Sequence, residues 1–232
     1  MDSKHTLTSP RVVIQMLITV VLIPLLPLVI SARWDWWEAW ALAIVLILGF
    51  AASRLLAARR RPVLLTERAR FIQHHDPEPW DRLLAPLVGP GSALILIIAG
   101  LDARFAWSVP PSTPIKVAAL VVLVAGLSLG SWALMENRFF SGIVRIQSDR
   151  DQKVVSTGPY RWIRHPGYSG ALLTYFAAPA LLGSIWAFVP ALFLAVALII
   201  RTSQEDLTLR RQLEGYAQYA QKVRYRLVPF VW

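Results

Sequence analysis

Apolar residues in this chain come in long blocks, not in the alternation of a half-buried strand or the stripe of a soluble amphipathic helix. Val12–Ile30 is a 19-residue run interrupted by Gln15, Thr19 and two prolines. At ~1.5 Å per residue such a run crosses a ~30 Å hydrocarbon core, and it exceeds the apolar stretch of a cleaved leader. Further runs cover Trp37–Leu56, Leu83–Leu101 and Ile115–Leu134. The third is broken near its start by Pro86, Gly89, Pro90 and Gly91, a break that neighbouring helices must accommodate. The last two runs, Tyr168–Leu182 and Ile185–Ile200, are separated only by Gly183-Ser184 and predict a tight helical hairpin whose members are short for a full crossing. The pattern therefore predicts an all-α polytopic membrane protein of about six spans. Residues 1–134 hold four helices, and residues 135–232 hold a polar loop, the hairpin and an amphipathic tail, all in one integrated domain.

Composition agrees: 56% of the 232 residues are hydrophobic and 16% charged, against ~45–50% and ~25% in ordinary soluble chains. The net charge of +10 invites a nucleic-acid reading, but the positions of the cations give a different one. Of 24 Lys and Arg, 21 fall on one side of the six-span topology, leaving Arg33, Arg104 and Lys116 opposite. The positive-inside rule then places both termini and the two long basic loops in the cytoplasm, and no nucleic-acid partner is needed. Trp34, Trp36, Trp37, Trp40, Trp107 and Trp186 fall at the predicted outer ends, as an interfacial aromatic belt would. With no cysteine, thiolate chemistry and every Cys-ligated metal site are excluded.

Chemistry is concentrated around the hairpin. If its turn centres on Gly183-Ser184, Pro166 lies opposite Arg201 and Ile163 opposite Gln204, so Arg164, His165, Arg201 and Glu205 converge at one membrane surface. Pro166 keeps His165 out of the helical region and suits the first turn of the helix that follows. The free amides of that helix start, with Arg164, favour an anion such as a carboxylate. Arg201 and Glu205, one turn apart, share a helix face. An acid at the lipid boundary beside cations has a designated partner, and a ligand amine or hydroxyl is a candidate for Glu205. Asp206, one position round, is expected on the solvated surface. The segment after 200 reads as an amphipathic helix lying on the membrane, with Leu209, Leu213 and Tyr216 at helical spacing and a loosening at Gly215.

The order GPYRWIRHPGYSG (Gly158–Gly170), hairpin, RTSQEDLTL, then GYAQYAQKVRYRLVP resembles the isoprenylcysteine carboxyl methyltransferase family and its bacterial relatives, which include membrane phospholipid methyltransferases. The resemblance runs from about Asn137 to the last residue; the earlier spans match in hydropathy alone. It implies an enzyme of a bacterial inner membrane. Such an enzyme takes S-adenosyl-L-methionine from the cytosol and a lipidic or prenylated acceptor from the bilayer. It also implies that Tyr160, Arg164, His165, Tyr168, Arg201 and Glu205 line the cofactor pocket, with Asp206 in place of the usual second Glu. Six residues before Gly158, where the carboxyl methyltransferases carry His, this chain has Gln152.

A carboxylate acceptor is already ionised at neutral pH, so Arg164 or Arg201 would orient it while Glu205 and His165 hold the cofactor. An amine acceptor would need Glu205 or His165 as base. The two arginines tilt the reading toward O-methylation, with phospholipid or amine N-methylation the alternative. Tyr216, Tyr219, Arg226 and Pro229 also resemble the closing tail of NADPH-dependent sterol-type reductases, a second enzyme class; a non-catalytic membrane module is a third reading. The topology is directly testable: in this cysteine-free chain Arg104→Cys should react with an impermeant thiol reagent from outside the cell only. Labelling from the cytoplasmic side would overturn the six-span arrangement.

Overall fold

The computed structural model describes residues 14, 17–60 and 77–232. The cations at 4, 11, 61, 68 and 70, and the start of the first predicted span, lie outside the described residues. Among the described residues all regular structure is helical: a π-helical turn at Ile18–Leu22 leads into α1 (Ile23–Ser31), then α2 (Trp37–Arg60), α3 (Asp81–Val88), α4 (Ala93–Phe105), α5 (Thr113–Glu136), α6 (Pro166–Leu182), α7 (Phe188–Gln212) and α8 (Tyr216–Lys222). The only β-type pairing among them is one isolated bridge, Ile163 with Tyr225.

Among the described residues four segments are long and apolar enough to cross a membrane: Trp37–Ala57, Asp81–Phe105, Thr113–Glu136 and Phe188–Gln212. Ile18–Ser31 is a shorter apolar helix, and α6 spans 17 residues, ~25 Å at the helical rise. Large apolar side chains such as Leu48, Val121, Val189 and Phe193 point outward while Leu28, Leu42, Leu123, Leu181, Leu194 and Leu198 are fully buried. An apolar exterior around an apolar core is what lipid rather than water requires. The chain is an integral membrane protein.

The break expected near Pro86–Gly91 is present: Gly89 leaves helical geometry, and Pro90–Ser92 forms one 3₁₀ turn before α4 resumes the path. The hairpin differs from expectation. Gly183 adopts the left-handed region (φ +70°), and Ser184 Oγ accepts the amide of Ala187, so the turn runs through Ala187 and α7 begins only at Phe188. Arg201 consequently lies over the Tyr168 ring, 5.2 Å from its centroid, rather than opposite Pro166. Nor does the helix end at Ile200. It continues to Gln212, so Leu209 belongs to α7, while Leu213 and Tyr216 flank the bend at Gly215.

Packing between helices uses small residues where lipid offers no hydrophobic drive for association. α5 and α6 approach so closely that a Cβ on Gly126 would sit 2.7 Å from the Gly170 carbonyl oxygen, and one on Gly170 would collide with the Gly126 carbonyl. At the predicted outer end, Asp102 accepts the Ser108 amide at 2.8 Å and the Ser108 and Ser184 hydroxyls, tying the α4–α5 loop to the hairpin turn. A buried Glu38–Lys116 pair pins α2 to α5 there. Trp34, Trp37, Trp40, Trp107 and Trp186 are exposed at that end as a belt should be, but Trp36 is buried in the core.

At the other end, residues 137–165, α8 and the tail form a cap with its own small core of Leu213, Tyr216, Tyr219, Ala220 and Val223. The tail is sewn to the start of α6: Arg164 N donates to Tyr225 O (2.9 Å), His165 N to Arg226 O (3.0 Å) and Ser169 Oγ to Leu227 O (2.6 Å).

Gly170→Ala should cost about 1–3 kcal/mol, because the atoms it meets are backbone and cannot move aside. Gly130→Ala, whose added Cβ meets nothing within 4 Å, should be neutral or gain up to ~1 kcal/mol from helix propensity. Thermal unfolding in detergent separates the two; equal effects would mean that the α5–α6 approach is not the tight contact described.

Candidate active site

The site begins with backbone constraints. Gly158 has φ +56°, and an added Cβ would sit 2.8 Å from Glu136 Cγ and Cδ, so glycine is needed on both counts. It opens the 3₁₀ turn Gly158–Arg161 that buries Tyr160. Two residues later the chain meets the tail strand, and His165 (φ −126°, ψ 62°) caps α6 with Pro166 at the first helical position, as its place before proline predicted. The cap works through the backbone: His165 O accepts the amides of Tyr168 and Ser169. The imidazole is thereby left for other contacts. It stacks on Tyr168 (centroids 5.7 Å, planes 5° apart), and Nε2 lies 3.5 Å from Asp206 Oδ1 and from the Tyr216 hydroxyl.

Asp206 overturns its expected place on the solvated surface. Its side chain is wholly buried, because the cap folds back over the extension of α7. Oδ1 lies 3.2 Å from Arg164 Nη1 and accepts the Tyr216 hydroxyl at 2.9 Å, while Oδ2 meets Arg210 Nε at 3.0 Å and Arg226 Nε at 3.3 Å. Burial and the Asp206 charge hold the Tyr216 phenol above its ordinary range, so it stays a donor.

The arginines expected to act together separate in role. Arg201 points away from the hairpin cluster: Nε donates to Asp81 Oδ1 at 2.7 Å, and Nη2 donates to Asp81 Oδ2 at 3.1 Å and to Gly142 O at 2.8 Å. Asp81 Oδ2 also accepts the Val144 amide at 2.6 Å. The Nε and Nη2 edge of the planar fork joins α3, α7 and the cap. Arg164 is different. Its side chain is 3% exposed, and its Nε and Nη1 are buried without a hydrogen-bond partner among the described residues. Burial lowers its pKa, with Asp206 opposing the shift.

A cavity of about 110 Å³, lined about equally by polar and apolar surface and the more polar of two, lies beneath the cap. Gln152, Tyr160, Arg164, His165, Tyr168 and Glu205 all line it; Arg201 does not. Glu205, half-buried, accepts the Tyr168 hydroxyl at 2.6 Å rather than an i,i+4 bond from Arg201. Gln152 Oε1 accepts the Gln147 amide at 2.7 Å, which fixes it in the wall. Burial holds the Tyr160 phenol protonated. Sequence reasoning passed over Asp81 and the anchoring role of Asp206. Asp81 carried one signal, an acid at the very start of an apolar run.

A second cavity of about 550 Å³, mainly apolar, lies among α1, α2, α5 and α6. The two cavities share Phe140 and Gly167 in their walls. A Cβ on Gly167 would sit 2.8 Å from two carbons of the Phe140 ring, so glycine at 167 is what lets the ring pack this closely and keeps the wall thin.

Comparison with known proteins bears on the same region. Residues 118–211 match the isoprenylcysteine carboxyl methyltransferase (ICMT) family. The chain is 30% identical over 125 residues to probable protein-S-isoprenylcysteine O-methyltransferases of Oryza sativa, subspecies indica and japonica, covering 50% of this chain and 62% of each relative. It is 32% identical over 114 residues to the protein-S-isoprenylcysteine O-methyltransferase of Schizosaccharomyces pombe, covering 47% of each. The chain thus matches between about half and three-fifths of the length of these curated relatives.

Asp206→Asn should lower stability by about 3–5 kcal/mol, since it leaves the buried Arg164 without its counter-charge. Unfolding in detergent measures this, and a loss below ~1 kcal/mol would remove Asp206 as the anchor of the cap.

Proposed function

We propose that this chain, whose residues 118–211 are of the ICMT family, is a membrane-embedded methyltransferase. In this reading it transfers a methyl group from S-adenosyl-L-methionine to the carboxylate of a prenylated cysteine or similar lipid acid. One observation carries the reading: a polar cavity beneath a cap and an apolar cavity among the helices meet at a single thin wall, Phe140 on Gly167. That is the layout required when a water-soluble donor and a lipidic acceptor must come within bonding distance.

The residues present suit the donor. S-adenosyl-L-methionine, when bound, supplies an electrophilic methyl group on a sulfonium. Arg164, whose Nη1 is already paired with Asp206 and whose buried Nε has no hydrogen-bond partner among the described residues, would take its carboxylate. Glu205, oriented by the Tyr168 hydroxyl, would accept from its amine or hydroxyl groups. The rings of Tyr160, His165 and Tyr168 give faces suited to its base and its cation. Gln152, in the same wall, offers an amide donor where the carboxyl methyltransferases carry His.

Arg201 and Asp81 position this site from outside the cavity, Arg201 lying behind the ring of Tyr168. By binding Gly142 O and the Val144 amide they fix the segment that follows Phe140. A carboxylate acceptor arrives ionised and needs no general base, so the protein's work is to orient it, exclude water and bring it to the wall. We place the polar cavity, the cap and both termini on the cytoplasmic face, the side of the positive-inside bias.

The test is incubation of purified protein with methyl-labelled S-adenosyl-L-methionine and a membrane lipid extract. The product should release its label as methanol in base, as an ester does. Base-stable label would mark N-methylation, and saturable NADPH binding without S-adenosylhomocysteine binding would replace this reading with the reductase one. His165→Ala and Glu205→Ala should each weaken S-adenosylhomocysteine binding at least 10-fold, measured by titration calorimetry, while the proteins still insert and purify.

A further inference from the structure

Lys116 within the helical bundle is paired with Glu38, Arg201 with Asp81, and Arg104 donates to Ile30 O at 3.0 Å. Arg54 on α2 differs from these three. It is partly buried, it stacks over the Phe50 ring at 4.6 Å from the centroid, and it meets no carboxylate among the described residues. Its neighbours explain why this matters: Arg54 lines the apolar cavity, where it is the sole ionisable residue among the described residues of the wall. A cation held against an aromatic face in a mainly apolar cavity is partly stripped of the hydration that would otherwise weaken its hold on an anion.

Depth places Arg54 at the right end of that cavity. α2 and α5 run in the same direction, pinned together by Glu38 and Lys116. At 1.5 Å per residue Arg54 lies about 24 Å along α2 from Glu38, and Ser131 about 22 Å along α5 from Lys116. Arg54 is therefore level with Gly130 and Ser131, which line the same cavity. Gly170, one turn along α6 from Gly167, packs against Gly126 and Gly130. The cation sits at the level of the Phe140–Gly167 wall, and the apolar remainder of the cavity extends from it.

We propose that Arg54 binds the anionic head of a lipid whose hydrocarbon chain fills this cavity. In that role it selects acidic lipids and holds the head beside the wall. Calling that head the methyl acceptor rests on the methyltransferase reading; the binding of an acidic lipid does not.

The experiment is equilibrium binding to the full chain in nanodiscs of neutral phosphatidylcholine, followed by tryptophan fluorescence. Four probes are used: S-farnesyl-N-acetylcysteine, its primary carboxamide, farnesyl monophosphate and, for the other cavity, S-adenosylhomocysteine. The parent should prefer the acid to the amide at least 10-fold. Arg54→Ala should weaken the acid, the phosphate or both by 10- to 100-fold, as expected for loss of a charge-assisted contact. Amide and S-adenosylhomocysteine affinities should change less than threefold. Whichever anion loses more identifies the head as carboxylate or phosphate, and Arg54→Lys should restore part of the loss. If Arg54→Ala does not purify, Arg54→Gln serves with the same expectations. Equal binding of acid and amide by the parent, or undiminished binding of both anions by the variant, would overturn the proposal. Should the binding pattern hold while the parent transfers no methyl group, the acidic-lipid site stands and the methyltransferase reading falls.

Discussion

The buried carboxylate of Asp206 is the interaction on which the cap depends. Five side chains converge on it: Arg164 and His165 from the start of α6, Arg210 from α7, Tyr216 from α8 and Arg226 from the tail. An unpaired charge at this depth would be prohibitively costly, and the same burial makes each correctly placed partner binding to the geometry. Asp206 lies between the tail and residues 164–165 and binds both. Tyr160, His165 and Tyr168 then take their places in the cavity wall.

A second buried pair sets how that cap sits on the helices. Arg201 and Asp81 link α7 to α3, and through Gly142 and Val144 they fix the segment leading from Phe140 into the cap. Close approach of α5 and α6 at Gly126 and Gly170 brings Gly167 against Phe140. The wall between polar and apolar cavities is thus the joint product of two glycine contacts and one ion pair. Three arginines illustrate how context divides one chemistry. Arg201 is held by Asp81 and Gly142 and keeps structure, Arg164 pairs with Asp206 while its Nε stays free of hydrogen bonds beside the cavity under the cap, and Arg54 meets no carboxylate among the described residues in an apolar one.

Much of the fold was legible because lipid imposes a simple rule: every backbone group must be satisfied within its own helix, so apolar run length reports the element directly. The runs from Trp37, Leu83 and Ile115 and the break at Gly89–Gly91 were readable for that reason. The hairpin register was not, because it depends on how many residues the turn consumes, and Ser184 Oγ capping Ala187 added three beyond Gly183-Ser184. Trp36 looked like its exposed neighbours, since a helix's rotation about its axis is set only by packing.

The sequence by itself determined an integral membrane, all-helical chain and the identity of a constrained segment, Gly158–Gly170. Of the residues singled out from it, Gln152, Tyr160, Arg164, His165, Tyr168 and Glu205 share one cavity, because local spacing and the hairpin bring them together. Only the tertiary structure decided which charges face which partners. Asp206 read as solvated because the residues that bury it come from positions 164, 216 and 226, and Arg201 read as a ligand group because Asp81 lies on another helix. Helical periodicity records a residue's neighbours one turn away; the partner of a buried charge is fixed by chain segments distant in sequence, and that information exists only once they have packed.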